Sequence, residues 1–357
     1  MELSTLCEAF SVDYLSHKVC KNGHINDTFI VDSKNGKTYV IQKINKNVFK
    51  KPFEVMENIT GVCRYISNRL ALSDIKERFL TLTFVPAKEG GYVFIDENKD
   101  YWRCYIFVDN TFTLNQPEKE GDFYQSAYAF GFFQKMLCNY PADRLYETIP
   151  DFHNTPKRFQ ALVDAAERDI KGRKKEVLPE LSFCYERESD TAVLTDALRN
   201  GELFLKVTHN DTKLNNVLLD TETRKGVCVI DLDTIMPGLV VNDFGDSIRF
   251  GASTAAEDEK DLSKVTISTE KFEEYTRGFL DGTAGTLTGN EKKYLLWGAK
   301  TMTFECGMRF LTDYLSGDTY FKIDYPEQNL DRARTQFKLV KDMEAKWQIL
   351  DSIIKKY

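Results

Sequence analysis

The sequence predicts an α+β protein of two lobes, a small, mainly antiparallel β lobe over residues 1–109 and a larger, mainly helical lobe over 110–357. Three observations lead there. At 357 residues the chain exceeds the length at which a single hydrophobic core stops growing. Its first third alternates short β-rich runs with turn residues. After about Gly121 long helical periodicity takes over, interrupted by only two strand-like runs. This sheet-then-helix order places a cleft between two unlike lobes.

The runs Thr28 to Val31 and Tyr39 to Ile44 flank Lys34-Asn35-Gly36-Lys37, where Asn-Gly signals a hairpin. Pro52 can open a helix, and Phe53, Met56, Ile59, Val62, Cys63, Ile66 and Leu70 follow at helical spacing. Three strands are expected next, at Thr81 to Val85, Tyr92 to Ile95 and Tyr101 to Val108, separated by Gly90-Gly91 and by the polar stretch Glu97 to Asp100. The lobe boundary is placed in the polar segment Asp109 to Gly121. Beyond it helices are expected at Phe123 to Leu137, Pro156 to Ile170, Thr269 to Leu280, Glu291 to Leu315 and Leu330 to Ile354, with strands at Val217 to Asp220 and Val227 to Asp233.

Hydrophobic residues at 42% and charged residues at 29% describe an ordinary globular composition, and no stretch approaches the roughly 18 apolar residues of a membrane span. The start, MELSTLCEAF, has no basic region followed by an apolar one, so a cytoplasmic protein with no membrane partner is expected. Eight scattered cysteines without paired spacing are read as reduced thiols. A net charge of -7 leaves no basic excess for nucleic acid. Nothing points to an obligate protein partner.

The chemistry is concentrated in His209-Asn210-Asp211-Thr212-Lys213-Leu214-Asn215-Asn216, followed twenty residues after Asp211 by Asp231 in Val229-Ile230-Asp231-Leu232-Asp233. Phosphoryl transfer to an alcohol needs a carboxylate to orient the hydroxyl and take its proton, and oxygen ligands that hold Mg²⁺ against the phosphates. Asp211 supplies the base, and Asn216 with Asp231 the metal ligands, in the kinase arrangement HxDxxxxN plus a metal-binding Asp. Any one of these residues taken alone reads equally well as a turn cap. His209 is read as a loop support, and Asp233 as a group on the same side of an extended strand as Asp231. Asp243-Phe244-Gly245 spells the protein-kinase metal triplet, but it lies thirty-two residues after Asp211, outside the adjoining hairpin. Asp243 and Asp246 are therefore expected to cap the loop after Pro237-Gly238.

In the first lobe, Tyr39-Val40-Ile41-Gln42-Lys43 reads as the strand whose lysine meets the ATP phosphates, with Glu57 as its partner and Glu54 as an alternative. The preceding loop holds one glycine, Gly23, where protein kinases carry three.

With these residues in place the chain resembles the aminoglycoside-phosphotransferase and choline-kinase superfamily, and within it the bacterial N-acetylhexosamine 1-kinases. The likeness runs along nearly the whole length and is carried by GHINDTFIV at Gly23, INKNVFKKPFEVMENI at Ile44, THNDTKLNNVLLD at Thr208, VIDLDTIMPGLVVNDFGDSIRFG at Val229 and TMTFECGMRFLTDYLSGDTYF at Thr301. It implies a protein-kinase-like fold, ATP at a hinge near Ile106 to Val108, Mg²⁺, and transfer to the anomeric hydroxyl of a free N-acetylhexosamine. It also implies sugar contacts from His24, Asp211, Phe250 and Arg309. Each has a structural alternative: a turn cap for His24, core for Phe250, an Asp313 pair for Arg309. Lys43 need not keep the lysine role in this subgroup. The competing expectations are a kinase for choline, homoserine or an aminoglycoside, and a silent nucleotide-binding protein on the same fold.

Overall fold

The computed structural model describes residues 2–20, 26–73 and 78–357. A short helix α1 (Leu3–Ala9) precedes three antiparallel strands, β1 (Tyr14–Cys20), β2 (Asp27–Ser33) and β3 (Thr38–Ile44). The β2–β3 turn is the expected Asn-Gly hairpin: Gly36 takes φ 81°, and Asn35 Oδ1 accepts from Lys37 N at 2.9 Å. Helix α2 (Pro52–Ala71) starts on its proline and buries Val55, Met56, Ile59, Val62 and Ile66. β4 (Phe84–Val85), β5 (Phe94–Ile95) and β6 (Tyr101–Ile106) complete a six-stranded sheet of order β1-β2-β3-β6-β4, with β5 also on β6. The two expected strands before β6 shrink to two residues each, because only those residues pair with it.

The sheet has two unlike faces. Val31, Tyr39, Ile41, Trp102 and Cys104 pack with Leu6 and Phe10 of the α1 segment into one cluster. The intervening residues, Val40, Gln42, Arg103 and Tyr105, face the other way by strand alternation.

The chain then crosses to β7 (Thr111–Phe112), which pairs with β9 of the second lobe. Helices α3 (Asp122–Leu137), α4 (Thr155–Arg168), α5 (Leu178–Tyr185), α6 (Glu188–Thr191) and α7 (Val193–Arg199) lead to β8 (Lys206–Thr208). The hairpin β9 (Val217–Asp220) and β10 (Gly226–Val229) follows, then β11 (Met236–Gly238), which pairs antiparallel with β8. Helices α8 (Val240–Gly251), α9 (Thr269–Thr283), α10 (Gly289–Ser316), α11 (Gln328–Ala345) and α12 (Trp347–Lys356) finish the chain. The helix expected over Leu330 to Ile354 is two, broken at Lys346.

The stretch after Pro237-Gly238, read as a loop, is helix α8, with every residue but Phe250 buried. It crosses α10 with backbone touching backbone, since a Cβ on Gly245 would lie 2.3 Å from Gly298 O, and one on Gly298 2.0 Å from Val241 O. All eight cysteines are free thiols, five of them buried. No helix of the described residues is long and apolar enough to cross a membrane.

Candidate active site

The loop that carries Asp211 links β8 to β9, and its backbone is held from below by α8. Asp243 accepts from His209 N at 2.9 Å, Asn210 N at 2.8 Å and Gln134 Nε2 at 2.8 Å. Asp246 accepts from Thr212 N at 3.0 Å, and Ser247 Oγ donates to Thr212 O at 2.5 Å. The sequence expectation for Asp243 and Asp246 is thus corrected: they cap no loop of their own and bind the loop that carries Asp211. Burial pushes the Asp243 carboxyl up, against His209 and the two amides that oppose the shift. Asn210 stands at φ 65°, a left-handed conformation that asparagine tolerates better than most residues, and its Nδ2 donates to Thr234 O at 2.8 Å.

His209 is fully buried and acts as a strut. Its Nε2 donates to Ile230 O at 2.8 Å and its Nδ1 accepts from Asp211 N at 3.2 Å, which fixes the Nε2–H tautomer and ties the loop to the end of β10.

Three of the expected residues come together. Asn216 closes a 3-10 turn, and its Nδ2 donates to Asp211 O at 2.8 Å and to Asp211 Oδ2 at 3.2 Å, leaving the amide oxygen for another partner. Burial would raise the Asp211 carboxyl, but the Lys213 ammonium at 2.8 Å holds it below the usual range and so keeps it an anion. Asp231 follows β10 in a left-handed turn with φ 57° and is exposed to solvent. Burial of its surroundings and the neighbouring carboxylates of Asp233 and Asp211 push it up to about 6. Desolvation is the larger cause, and the share that comes from the like charges of Asp233 and Asp211 is one that a cation would relieve. Among the described residues no three His, Cys, Asp or Glu side chains converge as a metal cluster. A cation here would draw on the Asp231 carboxylate, the Asn216 amide oxygen and oxygens from a ligand. These are hard donors that suit Mg²⁺.

Asp233 does not share the Asp231 side. The strand ends at Val229 and a 3-10 turn over Leu232–Thr234 swings Asp233 into the interior, where it is 3% exposed. There it pairs with Arg103 of β6, one arm of the guanidinium meeting Oδ1 and the other Oδ2 at 3.1 Å. Asn26 Nδ2 adds a hydrogen bond to Oδ2 at 2.6 Å, and its Oδ1 accepts from Asn45 N at 3.0 Å. The guanidinium also donates to Gln42 of β3, from Nε at 3.0 Å and Nη2 at 2.8 Å.

The first-lobe residues singled out in the sequence land elsewhere. Lys43 sits across from Trp102 on the α1 side of the sheet, and its ammonium is bound by Asp100 at 2.6 Å, which also takes Lys46 at 2.9 Å. Glu57 is exposed beside Tyr146, and Glu54 pairs with Lys51, so neither carboxylate reaches Lys43. The buried position of that helix turn belongs to Asn58, which bridges to Tyr146 O and Ile235 O at 2.8 and 3.0 Å. Ile106 packs on the α1 cluster and Val108 on the main core, at the crossing between lobes. His24 lies outside the described residues.

On the other side of the loop that carries Asp211, Phe250 lines a cavity of about 160 Å³ together with Leu214, Arg249, Glu257 and Gln336. Arg309 rests among Phe152, Tyr320 and Phe321, its guanidinium 5.6, 5.8 and 5.5 Å from the ring centroids. Asp313, the alternative partner, is instead taken by the N–H groups of Thr319, Tyr320 and Phe321 and by Asn329. Arg309 therefore has no carboxylate partner among the described residues.

Sequence reasoning missed Lys213 and Arg103. Lys213 was visible as the second residue after the base. Arg103 stood as the one charge in the otherwise uncharged strand Tyr101–Ile106.

Residues 16–262 match the phosphotransferase enzyme family. Among solved structures, a microcompartment-associated aminopropanol kinase superposes over 98% of this chain and 99% of its own, at a TM-score of 0.59 and 14% identity. An aminoglycoside phosphotransferase from Alicyclobacillus acidocaldarius covers 98% and 95%, at 0.60 and 11%. A choline kinase from Cryptosporidium parvum covers 99% and 96%, at 0.56 and 14%. At these identities the likeness is one of fold, and it is the kinase-like fold of a sheet lobe over a helical lobe.

Proposed function

This chain belongs to the phosphotransferase enzyme family, and on that premise we propose that it is a cytoplasmic kinase using ATP and Mg²⁺ to phosphorylate the anomeric hydroxyl of a free N-acetylhexosamine, GlcNAc or GalNAc. The observation that carries the kinase reading is the convergence of Asp211, Lys213, Asn216 and Asp231 on one side of a loop braced from below. Asp211, kept ionised by Lys213, orients the acceptor hydroxyl and takes its proton. Lys213 puts a positive charge 2.8 Å from that carboxylate, placed to meet the negative charge of the transferring phosphoryl group. Asn216 and Asp231 would hold Mg²⁺, which when bound would neutralise the negative charge of the phosphates. ATP is expected at the lobe crossing by Ile106 and Val108.

The acceptor reading rests on Arg309, Phe250, Asp211 and His24. An arginine without a carboxylate partner offers free donors to hydroxyl and carbonyl oxygens, and Phe250 offers an apolar face to a sugar ring. A choline-like acceptor fits less well, because the aromatic trio Phe152, Tyr320 and Phe321 already holds the guanidinium of Arg309 where a cage would need to admit a substrate ammonium. The test is turnover of free sugars and amines with Mg·ATP, with product position fixed by phosphorus NMR. GlcNAc or GalNAc should give a 1-phosphate, and their methyl glycosides, blocked at the anomeric oxygen, no product. Faster turnover of choline or homoserine than of any hexosamine would overturn the sugar and spare the kinase.

A further inference from the structure

The guanidinium of Arg103 is spent entirely inside the protein. Nε donates to Gln42, Nη2 to Gln42 and Asp233, and Nη1 to Asp233 and, at 3.8 Å, to Met56 Sδ. An arginine has five N–H donors, so none is left for a phosphate. Arg103 is 3% exposed, yet it belongs to the sheet lobe while Asp233 belongs to the turn that carries Asp231. Asn26, next to the start of β2, grips the same carboxylate.

In protein kinases a lysine on the third strand and a glutamate on the following helix join the lobe to the phosphates. Here the corresponding lysine faces away and Glu57 is exposed. Resting on the kinase reading above, we propose that Arg103 is a positioning residue: through Asp233 it sets where Asp231 stands beneath the sheet, and so tunes how tightly the nucleotide's Mg²⁺ is held. The left-handed turn at Asp231 has no side-chain cap of its own, and the Arg103–Asp233 fork two residues on is its bidentate tie to the sheet.

Arg103→Met alone strands the buried Asp233 charge and is expected to lower Tm steeply. The double variant Arg103→Met/Asp233→Leu removes both charges and should restore Tm, because apolar replacement of a buried pair is commonly neutral or better. If the fork positions the metal carboxylate, the stable double variant still binds Mg²⁺ in the presence of ADP about tenfold or more weakly by calorimetry, while metal-free ADP binds within about twofold of wild type. Arg103→Lys keeps the charge but loses the fork, and should show a smaller shift in the same direction. A double variant with wild-type Tm and wild-type Mg²⁺ affinity overturns the proposal; should it not fold, an unshifted Mg²⁺ titration in Arg103→Lys does the same. Failure of wild type to bind any nucleotide would instead sink the kinase reading itself.

Discussion

The loop that carries Asp211 is held from two sides by opposite means. Below it, helix α8 sends Asp243 to the backbone of His209 and Asn210 and both Asp246 and Ser247 to that of Thr212, so the floor is a set of separate hydrogen bonds within one core. Above it, as a roof, the turn that carries Asp231 is tied to the sheet lobe through one carboxylate, Asp233, which the Arg103 guanidinium and the Asn26 amide hold together. A load shared over several anchors fails gradually, and one gathered on a single carboxylate fails at once. The two sides should therefore respond differently to substitution, the floor through rate and stability, the roof through the metal.

Asp211 lies between floor and roof, and removing its charge tests the centre without touching either. Asp211→Asn should cut kcat by about a hundredfold or more with nucleotide affinity and Tm retained. Near-normal turnover in the folded variant would show that the reaction centre is elsewhere.

Asp243→Asn leaves a buried backbone N–H facing an amide nitrogen, so it should cost about 2 kcal/mol in urea unfolding and lower kcat about tenfold as the loop loosens. Its magnesium titration should stay where wild type has it. A shift there would erase the distinction between floor and roof and return Asp243 to the metal.

Lys43→Met sharpens the contrast with Arg103, since Lys43 is tied to Asp100 and lies over the Trp102 ring at the sheet's far face. The KM for ATP should change less than about twofold, because the pair is partly exposed and such pairs contribute about 0–1 kcal/mol. A large rise in KM would mean that Lys43 leaves Asp100 to reach the phosphates.

The smallest effect belongs to pH. Hydrogen bonds from Lys43 and Lys46 hold the Asp100 carboxyl below its usual value of 3.8. Its contribution to stability is therefore present above about pH 4 and is lost as acid protonates it through that lower value. The Tm difference between wild type and Asp100→Asn should shrink as the pH falls below about 4 and vanish once it is below the lowered value, and a difference that grows on acidification would reverse the assignment.

How much of this was legible in the sequence follows from the distance over which each feature is encoded. Asp211, Asn216 and Asp231 could be read because a loop and its adjoining hairpin carry all three. The Arg103–Asp233 tie could not, because its partners are 130 residues apart and nothing local announces the match. Lys43 misled through strand parity: Gln42 and Lys43 are neighbours in sequence but face opposite sides of the sheet, and only the former meets Arg103. Helix α8 escaped notice because its inward groups include Asp243, Asp246, Ser247 and Arg249, whose burial is offset by hydrogen bonds that a hydrophobic period does not register.

The close crossing of α8 and α10 carries one more consequence. Gly245 and Gly298 bring two main chains into direct contact, and a main chain, unlike a side chain, has no rotamers with which to give way. The crossing therefore works as a spacer of fixed height under Asp243. In the triplet Asp243-Phe244-Gly245 the acid grips the loop, the phenyl ring fills the core against Phe272, Tyr275 and Phe279, and the glycine sets the height at which the grip occurs. Three letters that spell a metal motif elsewhere are kept together here by masonry, and a library randomised at Gly245 should return glycine in its active clones.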